Sequence, residues 1–88
     1  MLALEGIHPN PCDGGMLVTF SLADRTPATL ELFDVAGRRL LGREVGTLGA
    51  GAHVVRLDAD GGRRAAGLYF LRLVQARRAC SAKVVVAR

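Results

Sequence analysis

The side chains that most often carry chemistry are few in this 88-residue chain and lie far apart. His8 stands between an isoleucine and a proline, and His53 stands inside an alternating, strand-like segment. Acyl transfer needs a nucleophile, a base and a group that orients the base. The serines, Ser21 and Ser81, lie outside any Gly-x-Ser-x-Gly turn. No pair of carboxylates has the apolar surroundings that general acid catalysis uses, so the sequence predicts that the chain is not an enzyme.

Metal and phosphate sites are weakly indicated as well. The run Asp58-Ala59-Asp60-Gly61 is similar to the start of a calcium loop, but the third acidic ligand and the distal glutamate are missing. A polar hairpin loop is therefore the favoured interpretation. The isolated histidines do not give a zinc spacing with the cysteines, and the glycines of residues 46–51 are not followed by Gly-Lys-Ser/Thr. We expect no cofactor.

The chain has two cysteines, Cys12 and Cys80. If each predicted strand reverses direction, Cys12 precedes the second strand at one end of the fold, and Cys80 opens the last strand at the other end. A disulfide needs Cα atoms within about 7 Å of each other. We therefore expect two free, partly buried thiols, and an intramolecular or intermolecular bond stays open as an alternative.

Positive charge is spread over the chain and is not gathered into a patch. The net charge is +4, with eleven arginines and one lysine. Arginine pairs at 38–39, 63–64 and 77–78 lie in or beside predicted turns, which favours solvated turns. An anionic partner, such as lipopolysaccharide or an acidic docking face, is the alternative. No basic cluster is interleaved with stacking aromatic residues, so we expect no nucleic-acid partner.

The length suits one small domain, covering residues 1–88. No apolar run reaches the roughly 18 residues of a membrane-spanning helix, so none is predicted. The start also lacks the basic and apolar parts of a signal peptide. We interpret Met1 as a boundary that is not native, and the chain as the tail of a longer protein.

Short apolar alternations bounded by Gly, Pro, Asp or Asn recur along the chain and predict strands. The sixth alternation is apolar on both faces, which is typical of a central strand. Strands of this number and length favour an all-β fold, a seven-stranded immunoglobulin-like Greek-key β-sandwich. The predicted strands cover residues 2–7, 16–22, 28–34, 38–45, 52–58, 67–75 and 79–87.

The residues of two predicted turns explain why the chain would turn there. Prolines in Pro9-Asn10-Pro11 cannot extend a strand ladder, so they end the first strand. Asp34 opens a hairpin turn in which its carboxylate can accept bonds from the turn's own N–H groups, and Gly37 can take a left-handed conformation. Gly42, in the returning strand, indicates a bulge or a close approach.

Tyr69 and Lys83 are the only residues of their types. Tyr69 is expected to be a core aromatic residue whose hydroxyl bonds to a loop. For Lys83 two interpretations stay open. One is an edge-strand charge that discourages aggregation, and the other is a recognition contact.

Four motifs occur in a fixed order: His8-Pro9-Asn10-Pro11, Asp34-Val35-Ala36-Gly37-Arg38, Gly67-Leu68-Tyr69-Phe70-Leu71-Arg72-Leu73 and Lys83-Val84-Val85-Val86. With the strands between them, they resemble a type A C-terminal sorting domain of the bacterial type IX secretion system. They also resemble the related immunoglobulin-like domain of the flagellar hook-capping protein. The residues that carry the resemblance are Pro9, Asn10, Pro11, Asp34, Gly37, Arg38, Gly67, Tyr69 and the run from Lys83 to Val86.

The resemblance implies an address and docking module. A cargo domain upstream would bring it into the periplasm of a Gram-negative bacterium. The type IX translocon would recognise it, and a sortase would remove it as the cargo reaches the cell surface or the extracellular space. We expect docking at the last strand, where unpaired backbone groups and positive charge would meet the partner. The expected contact residues are Lys83, Val84, Val85, Val86 and Arg88.

A second interpretation belongs to a different class of protein. Residues 58–67, with their Gly-Arg-x-x-x-Gly pattern, look more like the hook-capping loop. The domain would then be an immunoglobulin-like structural module, such as a spacer or adhesin tail. It would form a homo-oligomer when the edge strand at Val84-Val85-Val86 pairs with another copy.

Overall fold

Strands and one short 3-10 helix form the regular structure of the chain. The structure is a computed structural model and describes residues 1–13, 15–58 and 65–87. The 3-10 helix covers Gly46–Leu48, inside the glycine-rich residues 46–51 between the fourth and fifth predicted strands. No helix in the described part is long and apolar enough to span a membrane. The seven strands are β1 (Ala3–His8), β2 (Gly15–Leu22), β3 (Ala28–Phe33), β4 (Arg39–Glu44), β5 (Gly51–Asp58), β6 (Gly67–Gln75) and β7 (Arg78–Val86).

The strands form two antiparallel sheets. One sheet has the order β1-β2-β5 and the other has the order β4-β3-β6-β7. The prediction of an all-β fold with seven strands in two sheets is confirmed over the described residues. β6 lies between β3 and β7, as its two apolar faces predict.

One hydrophobic core lies between the two sheets. It follows from strict alternation, since every second residue of β2, β3 and β6 points to the same side. The alternation in the sequence predicts one shared face for Met16, Val18, Phe20 and Leu22 of β2 and an inward position for Leu30 and Leu32 of β3, and all six are buried. The largest fully buried side chains are Phe20, Met16, Leu22, Leu30, Leu32, Leu71, Leu73, Val18, Val45 and Val84.

Most predicted strand boundaries differ from the structure by one residue at one or both ends. The third strand ends at Phe33 and not at Asp34, because Asp34 uses its backbone and side chain in the following turn. The last strand already begins at Arg78. The β6–β7 turn is shorter than predicted, because Ala76 adopts a positive φ of 54° and the chain reverses within two residues.

Both cysteines are free thiols, as predicted. Cys12 is buried and forms a parallel bridge with Val86, near the end of β7. Cys80 lies near the start of β7, with its sulfur 3.9 Å from the carbonyl oxygen of Leu2. Six residues of extended strand separate the two positions, which is about 20 Å and far beyond the reach of a disulfide.

A buried and an exposed leucine should lose different amounts of unfolding free energy when each is truncated to alanine. Leu71 is fully buried at 0% exposure between Leu32 and Ala82 of the neighbouring strands, and Leu17 is 44% exposed on the outer face of β2. Leu71→Ala should lower the free energy of unfolding by about 2–5 kcal/mol. Leu17→Ala should change it by less than about 1 kcal/mol. Urea denaturation measures both, and equal losses would contradict this assignment of the core.

Candidate functional site

The four motifs lie far apart in sequence and meet at one end of the four-stranded sheet. The register of β6 and β7 pairs Gly67 with Val86 and Tyr69 with Val84, so the third and fourth motifs lie side by side. The first motif lies against the outer edge of β7, and the second lies across a groove from the start of β6. This end of the sheet is the candidate site.

Asn10 binds the edge of β7 with its side chain. Its Nδ2 donates to the carbonyl oxygen of Lys83 at 3.1 Å, and its Oδ1 accepts from the backbone N–H of Val85 at 3.0 Å. A carboxamide has a donor and an acceptor in one plane, so it can replace the peptide group of a neighbouring strand. Neither proline beside it has an N–H that could do this.

Cys12 continues the same contact with its backbone. Its N–H donates to the carbonyl oxygen of Val85, and its own carbonyl oxygen accepts from the N–H of Ala87, both at 2.8 Å. We call residues 9–12 the strap. The strap forms three hydrogen bonds with β7 and a fourth with Ala87, the residue after it, and these close the outer edge from Lys83 to Ala87.

This closure corrects one expectation from the sequence. The backbone groups at the end of the last strand were expected to be unpaired and available for docking. Among the described residues 83–87, four outward-facing backbone groups are bonded to the strap. They are the carbonyl oxygens of Lys83 and Val85 and the N–H groups of Val85 and Ala87. The proline-rich segment ends the first strand as predicted, and the chain then crosses to the other sheet to cover an edge.

The Asp34 turn has the geometry that its sequence predicts. Asp34 Oδ1 accepts from the backbone N–H groups of Ala36 and Arg38, both at 2.9 Å, and Oδ2 accepts from Arg38 Nε at 2.8 Å. Gly37 has a φ of 83°, a conformation that a side chain disfavours. The backbone N–H of Arg38, followed by its side chain and the N–H of Ala36, holds the pKa of Asp34 below its ordinary value, against a smaller opposing effect of desolvation.

Tyr69 anchors the start of β6, also as predicted. Its ring is buried, and its hydroxyl donates to the carbonyl oxygen of Ala65 at 2.6 Å. A groove of about 370 Å³ lies between this segment and the Asp34 turn, with Arg38, Leu68 and Tyr69 among its lining residues. The second and third motifs are therefore the two walls of one groove.

The five residues expected to contact a partner have different environments. Val84 and Val86 point into the core. Lys83 and Val85 point outward and are exposed, and Lys83 forms no ion pair with any residue that the structure describes. Arg88 lies outside the described residues, as do the Arg63-Arg64 pair and most of the calcium-like run from Asp58.

The residues considered for chemistry lie apart from one another. His53 is half-buried in β5, with Nε2 2.7 Å from the carbonyl oxygen of Gly49 and its ring centroid 5.7 Å from that of Phe20. His8 and Ser81 are exposed on different strands. Within the described ranges, no three His, Cys, Asp or Glu side chains gather as metal ligands would.

Sequence reasoning missed two structural side chains. Gln75 is buried in β6, where its Nε2 donates to the carbonyl oxygens of Asp24 and Thr26 and its Oε1 accepts from the N–H of Ala23. A polar residue at an inward position of the alternation was the available signal. The second is Arg39, whose guanidinium lies directly over Gly42. Gly42 is thus a close approach, one of the two roles predicted for it.

Truncating the Asn10 side chain of the strap should loosen the end of β7. Asn10→Ala removes two hydrogen bonds and should lower the free energy of unfolding by about 1–2 kcal/mol. It should also speed hydrogen exchange at the Val85 amide. Asn10→Asp is the comparison variant, because its carboxylate still accepts from the Val85 N–H while its second oxygen faces the Lys83 carbonyl oxygen with no proton to donate. Unchanged hydrogen exchange at the Val85 amide in Asn10→Ala would show that the two bonds between Asn10 and β7 do not form in solution.

The Asp34 turn should make stability depend on pH in acid. Because folding lowers the pKa of Asp34, its contribution is fully present above the ordinary value of 3.8 and is lost as the pH falls through the lowered value. Asp34→Asn should therefore flatten the fall in unfolding free energy between roughly pH 5 and 2. Asp24, whose pKa is lowered mainly by Thr26, leaves a residual slope. An unchanged slope in Asp34→Asn would contradict this role.

Comparison with known proteins agrees with the motifs. The sequence matches the family described as the secretion system C-terminal sorting domain over residues 6–87, a range that includes all four motifs. Comparison with curated proteins gives no match. The matched range covers nearly the whole chain, and it includes the motifs that the fold brings to one end. The chain belongs to the family of secretion system C-terminal sorting domains, and it is a sorting signal for type IX secretion.

Proposed function

We propose that the type IX translocon recognises this domain at the closed end of β7, through outward side chains. The observation that carries the proposal is the strap. It occupies the backbone edge from Lys83 to Ala87, and it leaves the side chains of Lys83 and Val85 exposed beside it. Arg88 would extend the same surface. Val84 and Val86 would act indirectly, because they fix the strand in the core.

A closed edge suits a protein that crosses the periplasm. An open strand edge pairs readily with other chains and promotes aggregation. The strap removes this hazard at the motif end, so recognition can depend on side chains that present a charge and an apolar surface together. In this proposal an upstream cargo domain brings the module into the periplasm of a Gram-negative bacterium. A sortase then removes it as the cargo reaches the cell surface or the extracellular space.

We also propose that the two sheets form an immunoglobulin-like Greek-key sandwich. The support is the way in which the chain alternates between sheets. β1 and β2 lie in one sheet, β3 and β4 in the other, β5 returns to the first, and β6 and β7 complete the second. A shared core between the sheets supports the same arrangement. The domain has an address role in this proposal, and no catalytic step is assigned to it.

The structural-module alternative is not favoured. Pairing with another copy along Val84-Val85-Val86 would need the outer edge of β7, which the strap occupies. The family match also points to sorting. Self-assembly through this edge would first require the loss of four hydrogen bonds.

An export assay tests the proposal. Residues 5–88 are fused to a reporter with its own signal peptide, in a host with type IX machinery and in a strain without the translocon. Point variants are needed, since deletion of residues 83–88 would remove Val84 and Val86 from the core. Lys83→Glu and Val85→Ser should each lower surface delivery at least about fivefold while the domain stays folded. The matched controls are Arg77→Glu in the exposed β6–β7 turn and Val54→Ser, exposed on β5.

Both controls should be exported like the parent. Equal delivery with and without the translocon would overturn the sorting role in that host. Full delivery of Lys83→Glu and Val85→Ser would leave the sorting role in place and reject recognition at the end of β7.

A further inference from the structure

On the outer face of the four-stranded sheet, a row of side chains has two aromatic rings in the middle and a cation at each end. The register aligns Arg39 with Phe33, Phe33 with Phe70, and Phe70 with Lys83, one from each strand. All four side chains lie at positions that alternate with core residues, so they share the solvent side. Two phenylalanines therefore lie next to each other with a cation at each end, over about 14 Å at the usual strand spacing. We call this row and the Glu31–Arg72 row beside it the Phe face.

The arginines of the Phe face are held in place. Arg72 donates to Glu31 Oε1 from Nε at 3.0 Å and lies over the ring of Phe33, 4.8 Å from its centroid. Arg39 Nε lies 3.4 Å from Glu31 Oε2, and its guanidinium crosses the bare backbone of Gly42. One carboxylate thus orients two guanidinium groups, and both remain about half exposed. With Lys83, the face has three cations and one anion.

The apolar part of the face is a hollow. Phe33 and Phe70 are half-buried, so only part of each residue's surface is open to solvent. They line an open cavity of about 410 Å³ together with Arg72, Ser81 and the Asp34 turn. Asp34 already directs both oxygens to the turn and to Arg38. An apolar or aromatic side chain can enter this hollow, and a carboxylate beside that side chain meets Arg72 or Lys83.

We infer that the Phe face binds an acidic peptide segment that also carries aromatic or aliphatic side chains. Charge complementarity selects this occupant. A second copy bound through the same face would place like charges opposite each other, which is unfavourable. A lipid surface is disfavoured because two half-buried rings that line a cavity offer little apolar area for insertion. The inference rests on the proposed function in one respect, since it names the chemistry of the partner that meets Lys83.

Direct binding tests this without export. The probe is a random copolymer of glutamate and tyrosine, titrated into the 88-residue protein while the backbone amides are followed by NMR. Saturable shifts are expected at Phe33, Phe70, Ser81 and Lys83, with an affinity that falls as salt is raised. Lys83→Glu should weaken binding about tenfold, and the charge-matched control Arg77→Glu less than about twofold. Phe70→Leu should weaken binding of the copolymer and leave binding of polyglutamate unchanged, because the substitution removes only the aromatic surface.

Several results would overturn the inference. These are shifts outside the Phe face, equal weakening by Lys83→Glu and Arg77→Glu, or binding of polyglutamate or dextran sulfate as tight as that of the copolymer. Binding of anionic phosphatidylglycerol vesicles through the Phe face would identify a lipid partner instead. A mass that rises with concentration and falls in Lys83→Glu would identify a second copy. If the copolymer fails to bind while Lys83→Glu still lowers export, the inference fails and the proposed function stands. If the copolymer binds the Phe face while Lys83→Glu is exported like the parent, the inference stands and the proposed function fails.

Discussion

The outer edge of β7 is the constraint on which this end of the domain depends. A last strand at the side of a sheet has a row of N–H and C=O groups that need partners or water. Here residues from the other end of the chain supply those partners. The side chain of Asn10 and the backbone of Cys12 bond to Lys83, Val85 and Ala87. This links the two ends of the sequence and fixes the strand from which Lys83 and Val85 face outward.

The remaining motifs support the same end of the sheet. β6 pairs with β7 along its whole length, so the position of Lys83 depends on Tyr69 and the start of β6. Tyr69 in turn is held by its hydroxyl bond to Ala65. The Asp34 turn joins β3 to β4 and places Arg39 beside Phe33. Most residues of the four motifs thus make structural contacts, and Lys83 and Val85 are the residues of the last motif whose side chains stay exposed.

Local patterns in the sequence predicted much of the fold. Alternation gave the strands and the inward faces of β2 and β3, and Asp34 with Gly37 predicted the turn, because these features depend on neighbours only a few residues away. The strap was not predicted. Asn10 and Val85 are 75 residues apart, and nothing local to Pro9-Asn10-Pro11 indicates that its amide binds another strand. The row from Arg39 to Lys83 was missed for the same reason, since it exists only through the register of four strands.

The central claim is that the domain is recognised with the strap in place. Cys12 reports on this, because its thiol is buried at 3% exposure beneath the strap's contact with Val86. In a Cys80→Ser background it is the single thiol of the domain, so its rate of alkylation can be measured free and bound to the translocon. If the strap stays in place, Cys12 is as unreactive in the complex as in the free domain. A rise in alkylation on binding would mean that the strap is displaced and that the translocon pairs with the edge of β7 instead.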